Sequence, residues 1–121
     1  MIKSEIRKKY LHKRENLSQG EVTNLSEKIF KNFTEKFALK ENLKVHCFLS
    51  IPEKGEVDTQ LFLNEFFKNR IRVFVPKIYK KRLISVEITQ ETPLLKNSWG
   101  ISEPESNEDS KERNFDYVLT P

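Results

Sequence analysis

The chain has 121 residues, of which 33% are charged and 36% hydrophobic, and its formal net charge at pH 7 is +4. This length and composition indicate a single globular domain over residues 1–121 and exclude an intrinsically disordered chain. The sequence contains neither a run of about 20 apolar residues nor the apolar segment of a secretory signal, so it predicts a cytoplasmic protein that does not cross a membrane.

The first predicted helix, near the N-terminus, is strongly basic. Apolar residues recur at every fourth position and form a narrow stripe: Ile2, Ile6 and Tyr10. Lys3, Arg7 and Arg14 line up on a neighbouring face, where two cations one helical turn apart can hold a phosphate. A solvated face and a small nucleic-acid-binding module are the alternatives. The nucleic-acid module would bind RNA or DNA through six basic side chains of this helix: Lys3, Arg7, Lys8, Lys9, Lys13 and Arg14.

The second predicted helix begins at Ser18, which forms a capping box with Glu21. It runs for about 20 residues. Its apolar stripe consists of Val22, Leu25, Ile29, Phe33 and Phe37. This pattern indicates a purely structural helix that packs on the core.

The run from Lys44 to Ser50 predicts a strand, because it is short, apolar and rich in residues that favour strands. Pro52 and Gly55 end this strand, and Asp58 can cap a following helix. Cys47 is the single cysteine and lies within the strand, so the pattern predicts a buried structural thiol. No spacing of metal ligands occurs in the sequence.

Glu56 is the main candidate for a binding residue. It lies at the carboxyl end of a predicted strand and just before a helix, which is where open α/β sheets place their ligands. A carboxylate at this position can accept hydrogen bonds from a polar ligand. The alternative is a solvated loop glutamate that only complements the helix dipole.

Three further strands are predicted: Ile71–Val75, Leu83–Ile88 and Phe115–Leu119. The order of elements implies an α/β fold with a mainly parallel open sheet and helices on both faces, in three αβα layers.

Lys77 follows the second strand and is expected to face the crevice of Glu56. Residues 102–114 are expected to form an exposed, mobile polar connector. Trp99, in a loop, is a stacking partner for an aromatic ligand or a cover for the sheet edge.

Together these segments resemble the 5-formyltetrahydrofolate cyclo-ligase family, also called methenyltetrahydrofolate synthetase. The resemblance lies in the order and spacing of several motifs along the whole chain. The motifs are Lys3-Ser-Glu-Ile-Arg7-Lys8, Arg14, Phe48-Leu-Ser-Ile-Pro52, Gly55-Glu-Val-Asp-Thr59, Val75-Pro-Lys77, Trp99-Gly-Ile-Ser-Glu-Pro104 and Phe115-Asp-Tyr-Val-Leu-Thr-Pro121.

The resemblance implies an enzyme that uses ATP and Mg²⁺ to convert 5-formyltetrahydrofolate to 5,10-methenyltetrahydrofolate, with release of ADP and phosphate. It implies a monomer whose partner is this small molecule and not nucleic acid or a membrane. By the same resemblance, ATP is bound by the segment Lys3, Ser4, Glu5, Ile6 and Arg7. Folate is bound by Leu49, Ser50, Glu56 and Trp99. No catalytic residue and no metal ligand is assigned within this chain.

The sequence departs from the family at its C-terminus. Family members continue for several dozen residues past the segment that matches Thr120–Pro121, and they carry a Gly-rich segment that cradles ATP phosphates and supplies a metal-binding aspartate. This chain has only three glycines, at positions 20, 55 and 100. The fold is therefore expected to be truncated, with an unpaired edge on its last strand. Three interpretations fit this pattern: a fragment of a longer enzyme, a sequence that records only part of the chain, and a shortened relative without the activity. A break directly after an apolar strand leaves the fold unfinished, which favours the first two.

Overall fold

The computed structural model describes residues 2–51, 54–98 and 100–121, and this part of the chain contains three helices and six strands. The helices are α1 Lys3–Glu15, α2 Gln19–Lys36 and α3 Gln60–Lys68. The strands are β1 Lys44–Cys47, β2 Arg72–Tyr79, β3 Arg82–Ile88, β4 Leu94–Lys96, β5 Ser102–Pro104 and β6 Tyr117–Leu119. None of the described helices is long and apolar enough to cross a membrane.

The main sheet has the strand order β3-β2-β1-β6. Strand β1 pairs in parallel with both β2 and β6, while β2 and β3 form an antiparallel hairpin. Two of the three pairings are parallel, which confirms the predicted α/β class with a mainly parallel sheet. Strands β4 and β5 form a separate antiparallel pair, so the predicted connector 102–114 begins with a short strand.

Strand β2 continues past Pro76, where the sequence pattern predicted its end. Pro76 lies opposite Ser85 on β3. The N–H of Ser85 donates to Asp109 Oδ1 and its carbonyl oxygen accepts from the N–H of Ser110, so both groups point away from β2. The nitrogen of Pro76 therefore faces the side of β1, and β1 pairs with β2 only as far as Phe74. Because no ladder hydrogen bond is due at this position, the missing N–H of proline costs nothing there.

Both α2 and α3 pack against one face of the sheet. Alternation along the strands brings Val45, Val73 and Val75 to this face, where they are fully buried. From α3, Phe66 is also fully buried, and its ring lies 6.1 Å from that of Phe33 on α2. The core of the protein is this layer of aliphatic strand residues beneath a cluster of phenylalanines.

The opposite face of the sheet is covered by the segment 112–115 and not by one of the described helices. The ring of Phe115 packs against those of His46 and Phe74, at 5.1 and 5.3 Å between centroids. Lys44 Nζ lies 2.8 Å from Glu112 Oε2. This hydrogen bond lowers the pKa of the Glu112 carboxyl below its usual range. The polar connector therefore supplies part of the cover that the sequence assigned to a helix.

Burial makes Cys47 a testable probe of the native sheet. The thiol is fully buried in β1, and this burial raises its pKa to about 12. The thiolate is the reactive form of cysteine. At neutral pH the thiolate fraction of Cys47 is about 1000-fold lower than that of an exposed cysteine. We expect the native protein to react with an aromatic disulfide reagent only at its rate of unfolding. Equal labelling rates in buffer and in concentrated urea would contradict this placement.

Candidate functional site

A cavity of about 420 Å³ lies beside Glu56. It is bounded by the end of α1, by α2 and α3, by the end of β6 and by the loop between β1 and α3. Its walls are mostly apolar and include three phenylalanine rings. The apolar wall residues include Ile29, Phe33, Phe48, Val57, Phe62 and Leu119. An apolar cavity with a few polar groups is the usual form of a site for a small organic molecule.

The loop between β1 and α3 fixes the carboxylate of Glu56. The backbone N–H of Ile51 donates a hydrogen bond of 2.7 Å to Glu56 Oε1. Within the described chain the other oxygen, Oε2, receives no hydrogen bond. Glu56 is half-buried and lines the cavity. One oxygen therefore anchors the side chain while the other is available to a ligand.

The start of α3 differs by one residue from the prediction. Thr59 is the N-cap, and its side chain makes no capping hydrogen bond to the helix. Asp58 Oδ1 accepts instead from the N–H of Gln60, at 3.0 Å. The N–H of Asp58 donates to the buried hydroxyl of Ser26 on α2. These bonds tie the loop that carries Glu56 to both helices.

Gly55 allows the end of α1 to pack directly on this loop. Its backbone φ is +74°, in the left-handed region. A Cβ at Gly55 would overlap the carbonyl oxygen of Arg14 and would lie 2.7 Å from Arg14 Cγ. Only glycine permits this approach, so the position of Arg14 and that of the Glu56 loop depend on each other.

Arg14 is a cavity residue that the sequence pattern placed on the basic face of α1, with Lys3 and Arg7, and not beside Glu56. It lines the same cavity as Glu56, and its Nε is buried with no hydrogen-bond partner in the described chain. The spacing of seven from Arg7, which keeps both on one helix face, was the available signal. That signal did not show that the last turn of α1 meets the binding loop.

Leu49 and Ser50 line a second, smaller cavity of about 200 Å³ and not the one beside Glu56. Thr59 lines both cavities. Ser50 and Thr59 are joined by reciprocal hydrogen bonds of 3.1 Å between the backbone N–H of each and the hydroxyl of the other. Of the predicted folate residues, Leu49 and Ser50 thus adjoin the Glu56 cavity through Thr59, while Trp99 lies outside the described residues.

The predicted ATP segment lies on an exposed helix, away from the cavity. Every residue from Lys3 to Arg7 is exposed, and α1 has no buried residue. Glu5 accepts a hydrogen bond of 3.4 Å from the N–H of Ile2. The ammonium of Lys3 and the guanidinium of Arg7 form no ion pair with any described residue. Their charge and spacing fit phosphate oxygens.

The prediction that Lys77 faces the crevice of Glu56 was wrong. Lys77 Nζ donates hydrogen bonds to three consecutive carbonyl oxygens, those of Pro104, Glu105 and Ser106, at 2.6, 3.1 and 3.2 Å. Because β2 continues beyond Pro76, Lys77 lies in the hairpin and holds the turn after β5. Its role is to fix the start of the connector.

The described residues contain no group of three or more His, Cys, Asp or Glu side chains that could hold a metal ion. His46 packs against Phe115, and burial lowers its pKa. His12 lies near the side-chain amide of Asn16, with 3.3 Å between their nitrogens. Among the described residues, the titratable side chains that line the cavity beside Glu56 are Glu56 and Arg14.

The sequence and the fold of this chain are similar to those of a known enzyme family. The model of the 5-formyltetrahydrofolate cyclo-ligase family matches residues 1–121. The NMR structure of 5,10-methenyltetrahydrofolate synthetase from Aquifex aeolicus is similar, with a TM-score of 0.81 and 34% sequence identity. The similarity covers 100% of this chain and 61% of that chain, so this chain spans about three fifths of its length. The comparison with curated proteins gives no match. The chain therefore belongs to the 5-formyltetrahydrofolate cyclo-ligase family.

Proposed function

We propose that this chain provides the folate-binding part of an enzyme that converts 5-formyltetrahydrofolate to 5,10-methenyltetrahydrofolate, with ATP converted to ADP and phosphate. The proposal is supported by membership in the family and by the likeness to a solved methenyltetrahydrofolate synthetase. The observation that carries it is the apolar, aromatic cavity in which one oxygen of Glu56 is available to a ligand.

The Glu56 cavity suits the pterin ring of a folate. The ring is flat, so it can pack between aromatic walls such as Phe33 and Phe48. Its amino and amide N–H groups are donors, and a carboxylate is the strongest acceptor that a protein offers to them. In this pose the Glu56 carboxylate orients the ring, and the apolar walls exclude water from the reacting formyl group.

ATP binding is assigned to α1. The proposed contacts are between the phosphates and the cations Lys3 and Arg7, with Ser4, Glu5 and Ile6 as the intervening segment. When bound, ATP supplies the phosphoryl group that activates the formyl oxygen. The part that these cations play is to hold the phosphates and balance their negative charge. Mg²⁺ belongs to the same proposal, and no described residue is assigned to it.

The proposal places the protein in the cytoplasm as a monomer that binds a small molecule and neither nucleic acid nor a membrane. Its rival is the basic surface of α1 as a nucleic-acid site. That surface would give a binding constant that falls steeply with salt concentration, and it would give Glu56 no function. Titration with short RNA and DNA at two salt concentrations separates the two proposals.

The test of the proposal is the substitution Glu56→Gln. It removes the charge while it keeps the shape, so we expect the dissociation constant for 5-formyltetrahydrofolate to rise by roughly 10- to 100-fold. Binding is measured by titration calorimetry, and turnover by the absorbance of methenyltetrahydrofolate. Both are recorded for the wild-type chain of 121 residues and for each variant.

The matched control is Glu27→Gln, which makes the same chemical change on the exposed surface of α2. It is expected to leave folate affinity unchanged. The unfolding midpoint of each variant shows whether the fold is intact. Equal folate affinity in the wild type and in Glu56→Gln would remove the assignment of Glu56.

A further inference from the structure

The guanidinium of Arg14 has a position that the proposed binding of ATP by residues 3–7 does not explain. Arg14 lines the Glu56 cavity, and its Nε is buried without an acceptor among the described residues. We infer that Arg14 is an oxyanion-binding residue of this cavity, which holds a phosphate or carboxylate oxygen of the bound ligand. The inference rests on the proposed function, since it assigns a further contact in the same site.

A buried donor without an acceptor is uncommon in proteins, because it loses its hydrogen bonds to water and gains none in return. Arg14 is only half-buried overall, yet its Nε is shielded from solvent. An Nε–H together with one terminal N–H of a guanidinium forms the fork that binds two oxygens of one anionic group. A ligand oxyanion in the cavity would supply the acceptor that the protein does not.

The main chain holds Arg14 in place without help from a ligand. Its carbonyl oxygen accepts a hydrogen bond from the N–H of Leu17, at 3.2 Å. The same oxygen and the Cγ of Arg14 pack against Gly55. The side chain thus starts from a fixed point at the end of α1, beside the loop that carries Glu56. Such a preorganised cation loses little entropy when it binds an anion.

The two charged residues of the cavity do not neutralise each other. Glu56 and Arg14 both line it, yet no ion pair joins them in the described chain. The cavity therefore offers an acceptor at one position and a cationic donor at another. This arrangement matches a ligand whose N–H groups meet Glu56 and whose negative charge meets Arg14.

Two groups of the proposed ligands carry a negative charge that could reach Arg14 on α1: a phosphate of ATP and a carboxylate of the folate. Arg7 and Arg14 are seven residues apart, so they lie on nearly the same helix face, about 10 Å apart along the axis. A phosphate chain held by Lys3 and Arg7 could extend along this face to Arg14. The other source is a carboxylate of the folate glutamate. Both present the same oxyanion chemistry.

The experiment compares Arg14→Gln, Arg14→Lys and the control Lys13→Gln, which removes a charge from an exposed neighbour. Dissociation constants are measured for ATP, inorganic tripolyphosphate, 5-formyltetrahydrofolate and 5-formyl-6-methyltetrahydropterin, which lacks the glutamate carboxylates. For the probes that carry the oxyanion bound by Arg14, we expect Arg14→Gln to raise the dissociation constant by roughly 10- to 100-fold. Arg14→Lys should recover part of this loss, because it keeps the charge without the fork. Lys13→Gln should bind as the wild type does.

The pattern across the four probes identifies the oxyanion. Weaker binding of ATP and tripolyphosphate alone assigns Arg14 to phosphate. Weaker binding of 5-formyltetrahydrofolate, with the truncated pterin unchanged, assigns it to a carboxylate. An equal loss for all four probes indicates a distorted cavity and overturns the inference, as does wild-type affinity in Arg14→Gln.

The proposed function is tested separately by the same series. If Glu56→Gln weakens folate binding while Arg14→Gln binds every probe as the wild type does, only the inference about Arg14 fails. If the wild-type protein binds neither folate nor ATP, both fail. Unfolding midpoints of all variants show that each comparison is made between folded proteins.

Discussion

Replacement of Gly55 by alanine is expected to destabilise the protein by about 2–5 kcal/mol, although it adds one methyl group. Two costs combine at this position. A residue with a Cβ is strained at a φ of +74°, and the new methyl group would overlap the carbonyl oxygen of Arg14. Either the loop or the end of α1 must move, so the cavity of Glu56 should be distorted as well. Urea unfolding followed by circular dichroism measures the stability loss.

Gly100→Ala is the matched control for this substitution. Its φ is +77°, almost the same as that of Gly55, yet a Cβ there would meet nothing within 4 Å. Its expected cost is the backbone strain alone, about 1–2 kcal/mol. The difference between the two variants measures the contact with Arg14. Similar losses in both would show that α1 does not pack on the loop in the way described.

Replacement of Phe66 by alanine is expected to cost about 3–5 kcal/mol, from lost burial and from the cavity that remains. Phe66 is fully buried in the last turn of α3. Its ring lies 6.1 Å from that of Phe33 and 6.4 Å from that of Phe62, centroid to centroid. These rings join α2 to α3, so the loss falls on the junction of both helices with the sheet.

Phe37→Ala serves as the control for Phe66. It makes the same chemical change at the end of α2, where the side chain is 44% exposed. Because water already covers much of this ring, the expected loss is about 1 kcal/mol. If thermal unfolding gave equal losses for the two variants, the phenylalanine cluster would not be the centre of the core.

Elements that depend on local chemistry were predictable from the sequence. The Ser18 capping box is present, with the N–H of Glu21 donating to Ser18 Oγ at 3.1 Å and Glu21 Oε1 accepting from the N–H of Ser18 at 3.3 Å. Phe62 and Phe66 are four residues apart, a spacing that puts both on one face of α3, and both are buried there. Such signals lie within one or two turns of the chain, so no tertiary information is needed to interpret them.

Features that depend on distant partners were not predictable in this way. Strand β4 is exposed along its whole length, so it carries no alternation of apolar and polar residues. The continuation of β2 through Pro76 depends on where β1 ends. Lys77 was assigned to the wrong region for the same reason, since its surroundings depend on that register. The place of Glu56 in the loop after β1 could be predicted because turn residues flank it, whereas Arg14 reaches the cavity only through the packing of α1 on Gly55.

The position of β6 beside β1 has a consequence for folding kinetics. Asp116 Oδ2 accepts from the N–H of Lys44, a contact between residues 72 positions apart in sequence. Parallel pairing over such a separation has a higher loop-closure entropy cost than the pairing of β1 with β2, so β6 should join β1 after β2 does. On the ribosome, β1 leaves the exit tunnel before β6, its neighbour on one side, is synthesised. Until then one edge of the central strand is open to other chains, and that nascent state is where a chaperone would be needed.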